Sequence, residues 1–130
     1  MPERVVVVTG AGGAGCGGAI ARRFARDGAC VVAADVDEAR ASSMARALGA
    51  SGGRATSIRC DVGDERDVRA MLAHAEATYG GVDVVVHDAS APFHPGAPLE
   101  HWLETVRVDL VGGLLVTRHA IEERRRRGAG

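Results

Sequence analysis

Four valines in succession, Val5 to Val8, lead into a stretch from Gly10 to Gly18 in which only Ala11, Ala14 and Cys16 carry a side chain, all of them small. An uninterrupted β-branched run reads as a strand buried on both faces, as in a parallel sheet with helices on either side. The glycines end that strand and leave backbone N–H groups open to a bulky anion. Helical spacing then resumes, with Ile20 and Phe24 on one face, Arg22, Arg23 and Arg26 facing away, and Gly28 as the stop. Strand, glycine turn and helix in this order make a phosphate cradle. Unpaired N–H groups and the helix dipole both favour negative charge at the helix start, where the pyrophosphate of a dinucleotide would sit.

The glycine pattern by itself discriminates poorly. G-x-G-x-x-G fits at Gly10, Gly12 and Gly15 and again at Gly13, Gly15 and Gly18, and a glycine-rich surface turn would match as well. The flanking strand and helix supply the context that the motif requires. A second element agrees with it: Cys30 to Ala34 is a short apolar strand that stops at Asp35, about 20 residues beyond the glycine turn, where an acid can accept both hydroxyls of an adenosine ribose. A solvated loop acid is the alternative. A 2′-phosphate would meet like charge at Asp35, at a cost of about 4 kcal/mol for charges about 4 Å apart in an effective dielectric of about 20. NAD is therefore the expected cofactor, in preference to NADP.

The remaining chain repeats the alternation. Asp37 is the expected N-cap of a helix reaching about Leu48, with Gly49 as its stop. Arg54 to Cys60 forms a third strand closed by Asp61-Val62, and Asp64 caps a helix with Val68, Met71, Leu72 and Ala75 at helical spacing as far as Tyr79. Val82 to His87 is the fourth strand. The class is α/β: a Rossmann-type doubly wound parallel sheet with strand order 3-2-1-4 and its crevice between the first and fourth strands. Ala91 to Pro98 is a proline-containing loop, and a last helical region runs from Leu99 to about Arg127, with Trp102, Val106, Leu110, Leu114 and Ile121 among its apolar positions.

Composition narrows the function. At 130 residues the chain is expected to be one domain, residues 1–130, burying about two thirds of its unfolded surface. A formal net charge of −1 argues against a nucleic-acid or anionic-membrane partner. Arg124 to Arg127 are expected to complement a helix dipole and stay solvated. No apolar run approaches the roughly 20 residues of a membrane span, and the first strand begins at once, so no signal peptide and a cytoplasmic location are expected. Cys16, Cys30 and Cys60 are odd in number and far apart, which predicts buried or partly buried free thiols and no metal site.

Taken together these residues resemble the short-chain dehydrogenase/reductase family over the whole chain, matching its N-terminal, cofactor-binding half. Thr9-Gly10 with Gly15-Cys16-Gly17 is similar to the family's TGxxxGxG turn, with one residue more between Gly10 and Gly15. Ala34-Asp35-Val36 is similar to its NAD-selecting position, and Cys60-Asp61-Val62 to the pair that holds adenine. His87-Asp88-Ala89-Ser90 stands where the family has Asn-Asn-Ala-Gly, and Asp109 in Val108-Asp109-Leu110 stands in place of its catalytic Asn. The resemblance implies a cofactor set of Gly10, Gly13, Gly15, Cys16, Gly17, Asp35, Val36, Asp61, Val62, Asp88 and Ala89.

The family's reaction is hydride transfer between nicotinamide and an alcohol or ketone, using a Ser and a Tyr-x-x-x-Lys. All 16 basic residues here are Arg, so there is no Lys, and Tyr79 is the only tyrosine. A tyrosine of pKa about 10 is about 0.1% ionised at pH 7 without a neighbouring cation. The expectation is a truncated member that binds NAD(H) and is inactive alone. His87 with Asp109 as a new acid/base pair is weighed against a packed histidine and a capped or solvated acid. Two further readings stay open: a non-catalytic NAD-binding or interaction module, self-associating through its last helix or open sheet edge, and a Rossmann-type methyltransferase, against which Thr9-Gly10 and Asp61-Val62 speak.

Overall fold

The computed structural model describes residues 3–128. Strand β1 (Val5–Thr9) passes through the glycine turn into helix α1 (Cys16–Arg26), followed by β2 (Cys30–Asp35), α2 (Glu38–Ala50), β3 (Arg54–Arg59), α3 (Glu65–Tyr79) and β4 (Val84–His87). Helix α4 (Leu99–Thr105) runs through a π-helical segment, Val106–Val111, into α5 (Gly112–Arg126). The four strands form one parallel sheet in the order β3-β2-β1-β4, with Val5 opposite Cys30 and Thr9 opposite both Ala34 and His87.

The valine run explains the central position of β1. Its odd residues, Val5 and Val7, join Val32, Val68, Met71, Leu72 and Val116 under α3 and α5. Its even residues, Val6 and Val8, join Val31, Ala33, Ala21, Met44 and Leu48 under α1 and α2. Successive side chains of a strand point to opposite faces, so a strand covered on both sides must be apolar throughout. At about 25 cal/mol per Å² of apolar surface, a fully buried valine contributes about 1.5 kcal/mol or more.

Both expected acid caps form. Asp37 accepts the Arg40 N–H and Asp64 the Arg66 N–H, each relieving one of the unpaired donors at a helix start. Helix α3 ends at Gly80 with φ 85°, the left-handed conformation that glycine adopts without a Cβ penalty.

Several boundaries and surfaces differ from the sequence expectation. Helix α1 begins at Cys16, so Gly17 and Gly18 are helical and buried rather than part of the turn. Helix α2 continues through Gly49 to Ala50, because the chain reverses only where Gly52 reaches φ 86°. Strand β4 starts at Val84, and Cys60 lies just past the end of β3. The last helical region is one run whose middle widens to π geometry, a bulge of the kind found inside α-helices. Its inward face is Gly112, Val116, His119 and Glu123, while Trp102, Val106, Leu110, Leu114 and Ile121 lie on the exposed side. His119 sits between Glu65 of α3 (2.8 Å) and Glu122 (3.2 Å), tying α5 to α3.

The arginine run does not simply remain solvated. Arg124 donates to the Asp83 carbonyl and Arg127 to that of Val82, so backbone acceptors just ahead of the edge strand β4 are covered by the end of α5. Cys30 and Cys60 are buried as expected, but Cys16 is exposed, because it opens α1 at the rim of the glycine turn.

Candidate active site

The carboxyl ends of all four strands converge on one crevice. Thr9 organises its centre. Its hydroxyl oxygen accepts the N–H groups of Asp88 (3.1 Å) and Ala89 (3.2 Å) and lies 3.0 Å from His87 Nδ1. With its lone pairs so engaged, the hydroxyl donates to Nδ1, which leaves the imidazole proton on Nε2. Burial pushes the His87 pKa down, against the opposing fields of Asp109 and Asp88. The ring is half-buried, and among the described residues its Nε2 has no hydrogen-bond partner.

The glycine turn is pinned on either side. Ala11 N–H donates to the Ala34 carbonyl at 3.1 Å, clipping the turn to the end of β2. Gly10 has φ 68°, and a Cβ there would stand 2.9 Å from the Ala89 backbone. At Gly17 a Cβ would be 2.3 Å from the Gly10 carbonyl oxygen and 2.9 Å from Asp88 Oδ2, and at Gly18 it would be 2.2 Å from the Gly13 carbonyl oxygen. Gly15 instead faces open space, and Gly13 meets only the Gly15 nitrogen, at 3.7 Å. No side chain caps α1, and its first turn holds no acid. The start of α1 therefore offers unpaired N–H donors to an anion from outside.

Asp35 and Asp61 form the other end. Asp35 Oδ2 accepts the Gly12 N–H at 3.0 Å and Oδ1 the Asp37 N–H at 2.9 Å, which aims the carboxylate along the crevice. Asp61 is gripped by Arg107 through both oxygens, at 3.1 and 3.0 Å, and accepts the Gly63 N–H at 3.0 Å. Burial opposes its charge, but these bonds outweigh that and hold its carboxyl below the usual range.

Gly10, Asp35, Val36, Asp61, Val62, Asp88 and Ala89 line a single cavity of about 340 Å³, together with Arg40, Cys60, Glu104, Arg107 and Val108. Gly13, Gly15, Cys16 and Gly17 lie beside it, on the turn and the first turn of α1. Asp109 does not join them: its Oδ1 accepts the Ala91 N–H at 2.9 Å, a capping role for the loop after β4.

Sequence reasoning missed Arg40, Glu104 and Arg107. Arg40 could have been found, since it lies in the first turn of the helix that follows Asp35. Arg107 carries no local signal, because its partner is 46 positions away. Tyr79 packs: it lies against the core under α3, with the Arg54 guanidinium 5.6 Å from its ring centroid. It sits at the amino edge of the sheet, opposite the crevice. Among the described residues no cluster of His, Cys, Asp and Glu could hold a metal ion, and no helix is long and apolar enough to cross a membrane.

Residues 4–130 match the family model described as short chain dehydrogenase. An oxidoreductase of Thermotoga maritima, described as uncharacterized, is 39% identical over the whole of this chain and 52% of its own length. The cis-4-hydroxycyclohexanecarboxylate dehydrogenase of Sinomonas cyclohexanicum is 42% identical over 98% of this chain and 52% of its own. The crystal structure of a short chain dehydrogenase from Mycobacterium smegmatis superposes with a TM-score of 0.87 at 32% identity, over 95% of this chain and 52% of that one. The chain thus spans about half the length of these relatives.

Proposed function

The chain belongs to the short chain dehydrogenase family, and from that premise we propose that it is an NAD(H)-binding oxidoreductase module that turns over no alcohol alone. The observation that carries this is the single crevice in which Asp35, Val36, Asp61 and Val62 line one end and the uncapped start of α1 adjoins the other. The residues fit a dinucleotide: acceptors for ribose and an adenine amino group, then free N–H donors for a pyrophosphate. The nicotinamide ring, when bound, supplies the hydride chemistry of the family.

Within this reading each residue has a task. Asp35 accepts the ribose hydroxyls and disfavours a 2′-phosphate by like charge. Arg40 also lines the crevice, with its Nε 3.7 Å from Asp37 Oδ2 in an exposed ion pair. Gly13, Gly15, Cys16 and Gly17 offer backbone donors to phosphate. Asp88 and Ala89, fixed by Thr9, bound the nicotinamide end. Proton transfer at an alcohol has no candidate here: the chain has no lysine, Tyr79 lies at the wrong edge of the sheet, and Asp109 is held by the Ala91 N–H.

Calorimetric titration with NADH and NADPH tests the assignment. Saturation at about 100 times Kd adds about 2.7 kcal/mol of stability, visible in a melting curve. Expected are binding of NADH, weaker binding of NADPH, and no turnover of cis-4-hydroxycyclohexanecarboxylate, the alcohol in the Sinomonas relative's name. Absence of NADH binding overturns the reading.

Self-association is a second reading favoured by one observation. Leu99, Leu103, Val106, Leu110, Leu114 and Ile121 are all exposed along one helical run, and an apolar row of that size marks an interface. A second copy is the occupant that fits. Antiparallel pairing about Leu110 sets Leu99 against Ile121 and Val106 against Leu114, and brings Glu100 of one copy toward the Arg118 end of the other. Sedimentation should show a dimer that Leu110→Glu dissociates; a wild-type monomer at high concentration overturns it.

A further inference from the structure

The loop after β3 is seated on the last helical run through two close contacts at glycines. A Cβ on Gly63 would stand 2.1 Å from Arg107 Nη1, and a Cβ on Gly112 would stand 2.7 Å from Val62 Cγ2. The guanidinium of Arg107 lies against Gly63 and forks onto Asp61, while its other edge is held by Glu104, Nε at 2.9 Å from Oε2 and Nη2 at 2.7 Å from Oε1. One planar cation of the π-helical segment is thus clamped between two carboxylates, Glu104 at the end of α4 and Asp61 just past the end of β3. Such bidentate pairing fixes the plane of both carboxylates, which a lysine's point charge cannot do.

We infer that Arg107 is the positioning residue for base recognition: it holds the Asp61 carboxylate in one orientation and ionised, so that the remaining acceptor site of Oδ2 reads the exocyclic amino group of adenine. This rests on the NAD(H)-binding reading above. The lone-pair count supports it. Asp61 Oδ1 already accepts from Arg107 and Gly63, whereas Oδ2 accepts from Arg107 alone, and a carboxylate oxygen takes about two donors. The free site belongs to a carboxylate that lines the cavity beside Val36 and Val62. An acceptor-only group there welcomes an amino group and repels a carbonyl, so a base bearing oxygen at that position meets two opposed lone pairs.

The experiment compares the affinity of NADH with that of reduced nicotinamide hypoxanthine dinucleotide, which carries a carbonyl in place of the adenine amino group. Wild type, Arg107→Met and Arg107→Lys are titrated with both. The wild type should prefer NADH by about tenfold to a hundredfold, the range of one hydrogen bond to a charged group. Arg107→Met should lose most of that ratio, and Arg107→Lys should regain only part of it. A merely structural role weakens both ligands equally and leaves the ratio unchanged, which overturns the inference. Carboxyl-carbon NMR of the ligand-free proteins supplies an independent readout. Asp61 should titrate below the usual carboxylate range in wild type and return toward it in Arg107→Met; an unchanged Asp61 titration overturns the inference whether or not either dinucleotide binds. If the wild type binds neither ligand, the NAD(H) reading fails, and the inference about base recognition falls with it. Should Arg107→Met not fold, Arg107→Lys carries both measurements, since it keeps the charge and loses the fork.

Discussion

The Thr9 hydroxyl, at the end of the first strand, and the His87 ring, at the end of the fourth, meet at 3.0 Å, and the same hydroxyl caps the backbone of Asp88 and Ala89. Three hydrogen bonds on one oxygen lock the floor of the crevice across the two strands that border it.

Thr9→Val is nearly isosteric and removes all three bonds. It leaves two half-buried N–H groups without acceptors, so equilibrium urea unfolding should show a loss of about 1–3 kcal/mol. Thr9→Ser, which keeps the oxygen, should retain most of the stability.

His87 makes stability depend on pH in a definite direction. Burial lowers its folded pKa, so the unfolded chain binds the proton first. Its contribution is complete above the unfolded value of about 6.5 and is lost as pH falls through the lower folded value. Melting temperatures measured between neutral pH and about pH 5 should therefore fall with pH more steeply in wild type than in His87→Asn.

Gly17 and Gly15 are two residues apart and should respond oppositely. A methyl group at Gly17 collides with the Gly10 carbonyl and crowds Asp88, so Gly17→Ala should cost about 1–3 kcal/mol and abolish NADH binding. A methyl group at Gly15 meets nothing within 4 Å, and Gly15→Ala should cost only a few tenths of a kcal/mol, about what changing a glycine N-cap involves. Thermal unfolding with and without NADH checks both.

Of the three thiols only Cys16 is accessible. Burial, with the nearby charges of Asp67 and Asp61, pushes the Cys60 thiol up to about 12, and burial also raises that of Cys30. Iodoacetamide at about pH 8, close to an ordinary thiol pKa, should label a single cysteine in the native protein and all three after unfolding. NADH should slow the native reaction if Cys16, at the start of α1, adjoins the phosphates as proposed.

The layered architecture was legible because it rests on local periodicity. Four valines buried on both sides, acids at two helix starts and glycines at the turns each have consequences within a few residues of themselves. The strand order also followed, since right-handed crossovers leave few ways to arrange four parallel strands. Helix α2 outruns its expected stop at Gly49 for one reason: glycine ends a helix only where the backbone must turn to positive φ, as at Gly52. The row from Trp102 to Ile121 is legible as apolar spacing, but its exposure is not, because periodicity identifies an apolar face without saying what covers it.

From the chain alone come the parallel sheet, the glycine turn ahead of α1, and the acids Asp35 and Asp61 at successive strand ends. These follow from side-chain size, charge and spacing, which are local properties. The grip of Arg107 on Asp61, the Thr9 clasp on β4, the capture of Asp109 by Ala91 and the folding back of Arg124 and Arg127 onto the carbonyls of Asp83 and Val82 all join residues 41 to 80 positions apart or across a loop. No periodicity encodes such pairs. They arise where packing brings strand ends and the last helical run within hydrogen-bonding reach, and there a buried or half-buried charge must find a partner or forfeit its solvation.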